Sequence, residues 1–198
     1  MSKSIPKSTP SGKSTEAVIG SDGRHPDEIT VLQSTSNLRQ TKMINADGSS
    51  EGAINDTLFR HLYVPVPTLS AIEKVLRQLQ DGLTCFVIRG RAIDAAGEIH
   101  RRKWAGEGVP LEDIRRKWIM VDIDKPVCDP RDDWQDNPAE LVKEIVRKAL
   151  PDEFHNAGVV WQWSSSMGVK PGTIKVHLWF RLNTAIDSNT AKLWLSPW

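Results

Sequence analysis

Cysteine is almost absent: Cys85 and Cys128 are the only two in 198 residues. That is too few for a disulfide framework, and no second Cys or His stands at ligand spacing to make a zinc site. Two lone thiols fit a reducing compartment, so the expected location is cytoplasmic. Long apolar runs are missing too. None approaches the ~18 residues of a membrane-spanning helix, so no membrane partner is expected. The opening Met-Ser-Lys-Ser-Ile-Pro-Lys-Ser-Thr-Pro carries charge without the apolar stretch of a secretory signal. Net charge is scarce: 26 Lys and Arg against 25 Asp and Glu leave +1 at pH 7. Any nucleic-acid footprint must therefore be local. Tyrosine occurs once, as Tyr63.

What is present suits one folded domain with appendages: 39% hydrophobic and 26% charged residues, with a mean hydropathy of -0.39. Residues 1–27 are rich in Ser, Lys, Gly, Pro and Thr and read as a disordered tail. Within it, Gly12-Lys13-Ser14-Thr15 imitates the end of a phosphate-binding loop, but Lys7 occupies the position of the required glycine and no strand precedes it. Residues 28–59 form a poorly defined lead-in, with a short strand at 29–33 and an Asp47-Gly48 turn. Residues 60–198 carry the main pattern. Val64-Pro65-Val66-Pro67 is extended, and Thr68 or Ser70 caps a helix running to Gln80 with Leu69, Ile72, Val75, Leu76 and Leu79 on one face. Strands follow at 83–88 and 118–123, separated by an irregular loop over 94–112. A helix from Asn137 or Pro138 to Leu150, a strand at 159–163, a Ser/Gly/Pro turn, a strand at 174–182 and a short helix at 189–195 complete the chain. This order predicts an α+β fold, an antiparallel or mixed sheet with helices on one face, in which the 160s and 170s strands form a hairpin.

The candidate site centres on Trp-Ile-Met-Val-Asp-Ile-Asp, which ends in Asp122 and Asp124. A strand repeats every two residues, so both carboxylates leave the same face, roughly 6.5 Å apart. Packing asks for no such pair, because unpaired charges next to a core are costly. A divalent cation neutralises them, and Mg²⁺ is commonly held by one or two carboxylates plus substrate phosphates. Lys175, His177, Trp179 and Arg181 share one face of the later strand, and Val176, Leu178, Phe180 and Leu182 share the other. The first face suits the phosphates of a nucleoside triphosphate. A lone strand histidine is also an ordinary structural hydrogen bonder. Ser164-Ser165-Ser166 has two readings: a hairpin linker, or hydroxyl donors such as Ser164 and Ser166 lining a nucleotide pocket. Arg89, Arg91 and the run Arg101-Arg102-Lys103, followed by Trp104, suit single-stranded nucleic acid, although charge runs are usually a solvated face.

At these residues the chain resembles the archaeo-eukaryotic primase superfamily, especially primase-polymerases of phages and integrative elements. The likeness rests on Asp122-x-Asp124 and on the strand bearing His177 after a Ser-rich turn, and covers roughly residues 60–198. It implies an RRM-like palm, incomplete at its C-terminal end, with Asp122 and Asp124 as catalytic ligands of Mg²⁺ or Mn²⁺ and His177 as a nucleotide contact. It also implies template-directed nucleotidyl transfer on single-stranded DNA, with a replicative helicase as a further partner. Lys175 stands where the family often has a small hydroxyl residue, and the family's third acid has no counterpart here. The expectation is therefore a partial palm, poorly active alone.

Two other classes compete. A haloacid-dehalogenase-like phosphatase also has an apolar strand ending Asp-x-Asp, but usually begins with it, and Lys125-Pro126 follows here instead of Gly-Thr. A rolling-circle endonuclease needs a histidine pair and a tyrosine nucleophile, whereas His177 is alone on its strand and Tyr63 sits beside a Pro-rich segment. A non-catalytic module that binds nucleotide or nucleic acid is the third alternative.

Overall fold

Ile29, Thr30 and Val31 are β-formers, and they sit in an interior strand of the first sheet. The computed structural model describes residues 24–45, 47, 49–54, 58–93, 99–100, 111–124, 135–168 and 173–196. Its elements begin with β1 (Glu28–Ser34) and the short pair β2 (Met43–Ile44) and β3 (Ser50–Glu51). β4 (Phe59–Pro65), α1 (Leu69–Gln80) and β5 (Cys85–Ile88) follow. Three two-residue strands, β6 (Arg91–Ala92), β7 (Ile99–His100) and β8 (Leu111–Glu112), precede β9 (Arg116–Ile123). The chain continues through α2 (Pro138–Ala149), α3 (Asp152–His155), β10 (Val159–Trp163), β11 (Val176–Ile186) and α4 (Ser188–Leu195).

The result is an α+β fold built on small antiparallel sheets. One has the order β5-β1-β4-β7 and the other β10-β11-β9, with β2–β3 and β6–β8 as separate pairs. The expected hairpin is present: β10 pairs with β11, Trp163 opposite Val176. The stretch read as a lead-in, 28–59, supplies β1, which is bonded on both sides by β4 and β5. The boundary expected at residue 60 therefore cuts through a sheet. The end of the expected tail is also tied down: the carbonyls of Pro26 and Asp27 accept from Lys117 N (2.8 Å) and Val66 N (2.6 Å). Residues 1–23, including Gly12-Lys13-Ser14-Thr15, lie outside the described residues.

Two cores hold the elements. The apolar face of the second sheet (Ile119, Val176, Leu178, Phe180) packs on Leu141, Val142, Ile145 and Val146 of α2, Phe154 of α3 and Ala191 of α4. The second core gathers Ile29, Val31 and Val66 with Ile72, Val75 and Leu76 of α1, and takes in Trp118 and Trp179 from the opposite face of the second sheet. These two indoles lie 5.6 Å apart between ring centroids and join the sheets. The same face is therefore buried at one end and open at the other, and the candidate site lies at the open end.

Candidate functional site

β9 and β11 position the site by register. His177 lies opposite Asp122, and Gln162 lies opposite His177 on its other side. Residues paired this way have Cβ atoms about 4.5–5.5 Å apart, so Gln162, His177 and Asp122 form one row across three strands. His177 Nε2 is 3.4 Å from Asp122 Oδ1, and Lys175 Nζ is 3.3 Å from Asp124 Oδ1. Each carboxylate thus has one nitrogen partner, yet the Asp122 and Asp124 side chains are 46% and 58% exposed. They remain open to a ligand.

Beside this row runs a groove of about 890 Å³. Its floor includes Val160, Gln162, His177, Trp179 and Met120, and its walls are α1 and β5. α1 turns its polar face, with Glu73, Arg77 and Gln80, toward the groove because Ile72, Val75 and Leu76 face the core. Arg77 is paired with Glu73 at 2.7 Å. Ser164 and Ser165 close one end of the groove. Ser164 N donates to Lys175 O at 3.0 Å, continuing the hairpin ladder. Ser164 Oγ lies 3.4 Å from Ser166 Oγ, and Gly168, at φ 76, makes the turn. Both readings of the serines are therefore compatible with where they lie.

The expected cationic contacts divide. Lys175 stands with the acids. Arg181 does not: its Nε donates to Pro67 O (2.7 Å) in the loop before α1, and its guanidinium pairs at 2.8 Å with Asp27, just before β1. Arg89 and Arg91, read as nucleic-acid contacts, are engaged within the protein. Arg89 donates to the carbonyls of Trp118 and Ile186 and lies over the Trp118 ring. Burial holds its pKa below the usual arginine value. Arg91 is buried and salt-bridged to Glu112. Gly90 between them is dictated by packing, since a Cβ there would meet the Glu112 carbonyl oxygen at 2.7 Å. Arg101, Arg102, Lys103 and Trp104 lie outside the described residues.

For a cation, the donors fit in kind: two hard carboxylates, Asp122 on β9 and Asp124 just past its end, suit Mg²⁺ or Mn²⁺, which retain waters and take phosphate ligands. Among the described residues no group of three or more His, Cys, Asp or Glu side chains is arranged to hold a metal ion. Asp187 is occupied elsewhere as the cap of α4, accepting from Thr190 N at 2.7 Å. Asp113 accepts from Ser188 N and Oγ, both at 2.8 Å. Sequence reasoning missed Gln162 and the polar face of α1. Once the hairpin register is known, Gln162 falls beside His177. Among the described residues no helix is long and apolar enough to cross a membrane. No family model matches the chain, and no curated protein or solved structure matches it either.

Proposed function

We propose that this chain is a primase-polymerase-like module that binds a nucleoside triphosphate with Mg²⁺ or Mn²⁺ at Asp122 and Asp124 and transfers a nucleotidyl group on a single-stranded DNA template. The observation that carries this reading is the Asp122–His177 row, with Lys175–Asp124 beside it, at the margin of a groove of about 890 Å³. Such a volume suits a nucleotide-sized ligand. Asp122 and Asp124 would hold the cation, which would supply Lewis-acid neutralisation of phosphate charge. His177 and Lys175 then face phosphate oxygens, Lys175 as a point charge and His177 as a donor from Nε2. The succession β9, α2, β10, β11, with α2 and α4 on one face, supports the palm-like arrangement that the resemblance implies.

One observation favours a second reading, a module that binds nucleotide without turning it over. Among the described residues, Asp122 and Asp124 stand at the site, while Asp113, which precedes β9, and Asp187, which follows β11, are bonded at the start of α4. Losing one ligand of a two-metal clamp removes charge stabilisation where it matters most.

Titration with Mn²⁺ and with ATP, using the wild type, Asp122→Asn, Asp124→Asn and His177→Ala, separates these readings from a structural role. The expected result is weaker Mn²⁺ binding in both Asp variants and weaker ATP binding in His177→Ala, with folding unchanged. Equal affinities in all four proteins would remove the site. Primer synthesis on single-stranded DNA, abolished by Asp122→Asn, distinguishes the polymerase from the binding module. Hydrolysis of small phosphate esters without primer synthesis would move the assignment to an Asp-x-Asp phosphatase.

A further inference from the structure

We infer that Gln162 recognises the nucleoside part of the bound nucleotide, an assignment that rests on the nucleotide reading above. The site face changes character along its strands. Lys175 and Asp124 come first, then the row Gln162–His177–Asp122, then the row Val160–Trp179–Met120. Charge gives way to apolar surface within two rows, and Leu76, Phe86 and Val87 line the groove on the far side. A nucleoside triphosphate has the same polarity: charged phosphates, then a sugar rich in hydroxyls, then a flat base. With phosphates at Lys175 and His177, the sugar and base lie over the second and third rows.

Gln162 stands at that boundary. It is half-buried and lines the groove. Its amide makes no hydrogen bond to a described residue. On an otherwise apolar strand, Val-Val-Trp-Gln-Trp, a half-buried amide without a partner is costly unless a ligand or water satisfies it. A second polar group nearby is more deeply buried. Trp179, 5% exposed, also lines the groove, and its indole N–H is buried without an acceptor. A neutral amide adds little to the binding of phosphate, which is met better by Lys175 and His177. It offers two donors and an acceptor together, which is what sugar hydroxyls and base edges call for.

The test measures binding of ATP and of inorganic tripolyphosphate, each with Mn²⁺, to the full chain. Gln162→Met keeps the bulk of the side chain and removes its amide, and Gln162→Leu serves if that variant folds poorly. The expected result is ATP affinity weakened about 2- to 12-fold, the effect of one lost hydrogen bond, with tripolyphosphate affinity unchanged. His177→Ala weakens both ligands. Equal loss of both ligands in the Gln162 variants, or loss of neither, overturns the assignment while leaving the nucleotide reading in place. A wild-type chain that binds neither ligand overturns the nucleotide reading, and the role of Gln162 with it.

Discussion

Arg116 has no exposed surface, and its guanidinium is spent on the His25 and Arg89 carbonyls and the Thr30 hydroxyl. Glu28 stands 3.8 Å away as its counter-charge. Burial pushes its pKa down to about 10. Between that value and the ordinary arginine range the unfolded chain holds a proton that the native chain releases, so stability rises with pH there. Below about 10 both forms are protonated and this residue gives no slope. Removing one member of a buried pair leaves the other without compensation, so Arg116→Ala should cost about 3–5 kcal/mol in urea unfolding. Gly90 is equally constrained. Gly90→Ala sets a Cβ against the Glu112 backbone and should destabilise by about 1–3 kcal/mol, with no effect on ATP affinity. Charge alone does not record the partners of Arg89, Arg91 and Arg181, because each is bonded to a group distant in sequence.

Local rules serve better at the scale of elements. Thr68 caps α1 through its hydroxyl, which accepts from Ala71 N at 3.1 Å. Thr68→Ala should lose about 1 kcal/mol, read as a lower Tm. Asp187 caps α4 in the same way, and the backbone N–H of Thr190, the largest influence, holds its carboxyl below the usual range. A depressed carboxyl stabilises fully above the ordinary carboxylate range and loses that contribution as pH falls through its folded value. Faster amide exchange at Thr190 in acid, absent in Asp187→Asn, is the expected sign. Caps and apolar spacing made α1, α2 and α4 legible, as did the bounds of β10. β4 was hidden because Val64-Pro65 reads only as extended chain. β11 runs past its expected end to Ile186, because the alternation stops at Leu182 while pairing with β9 resumes at Arg116 after an irregularity. The shared face of Asp122 and Asp124 follows from strand period alone. Their closeness to His177, and the presence of Gln162, depend on register, which no local pattern records.

For the molecule as a whole, Trp118 and Trp179 matter most, since they carry the core of the first sheet into the second. Trp118 Nε1 also donates to Glu28 O at 2.7 Å. With apolar surface shared in this way, the two sheets should unfold in one transition, with fluorescence and far-ultraviolet signals coincident. Trp179→Ala should cost about 3–5 kcal/mol. It should also weaken ATP binding, because the floor of the groove goes with the core. Separate transitions in the wild type would show that the sheets are independent. The indole pair has an optical consequence as well. Rings 5.6 Å apart and inclined by 36° behave as coupled chromophores, whose transitions mix and split. The circular dichroism of the native chain should therefore contain an aromatic couplet that disappears in Trp118→Phe. A ligand seated over Trp179 should perturb the same couplet, so the contact that joins the two sheets also serves as a built-in spectroscopic reporter of the groove.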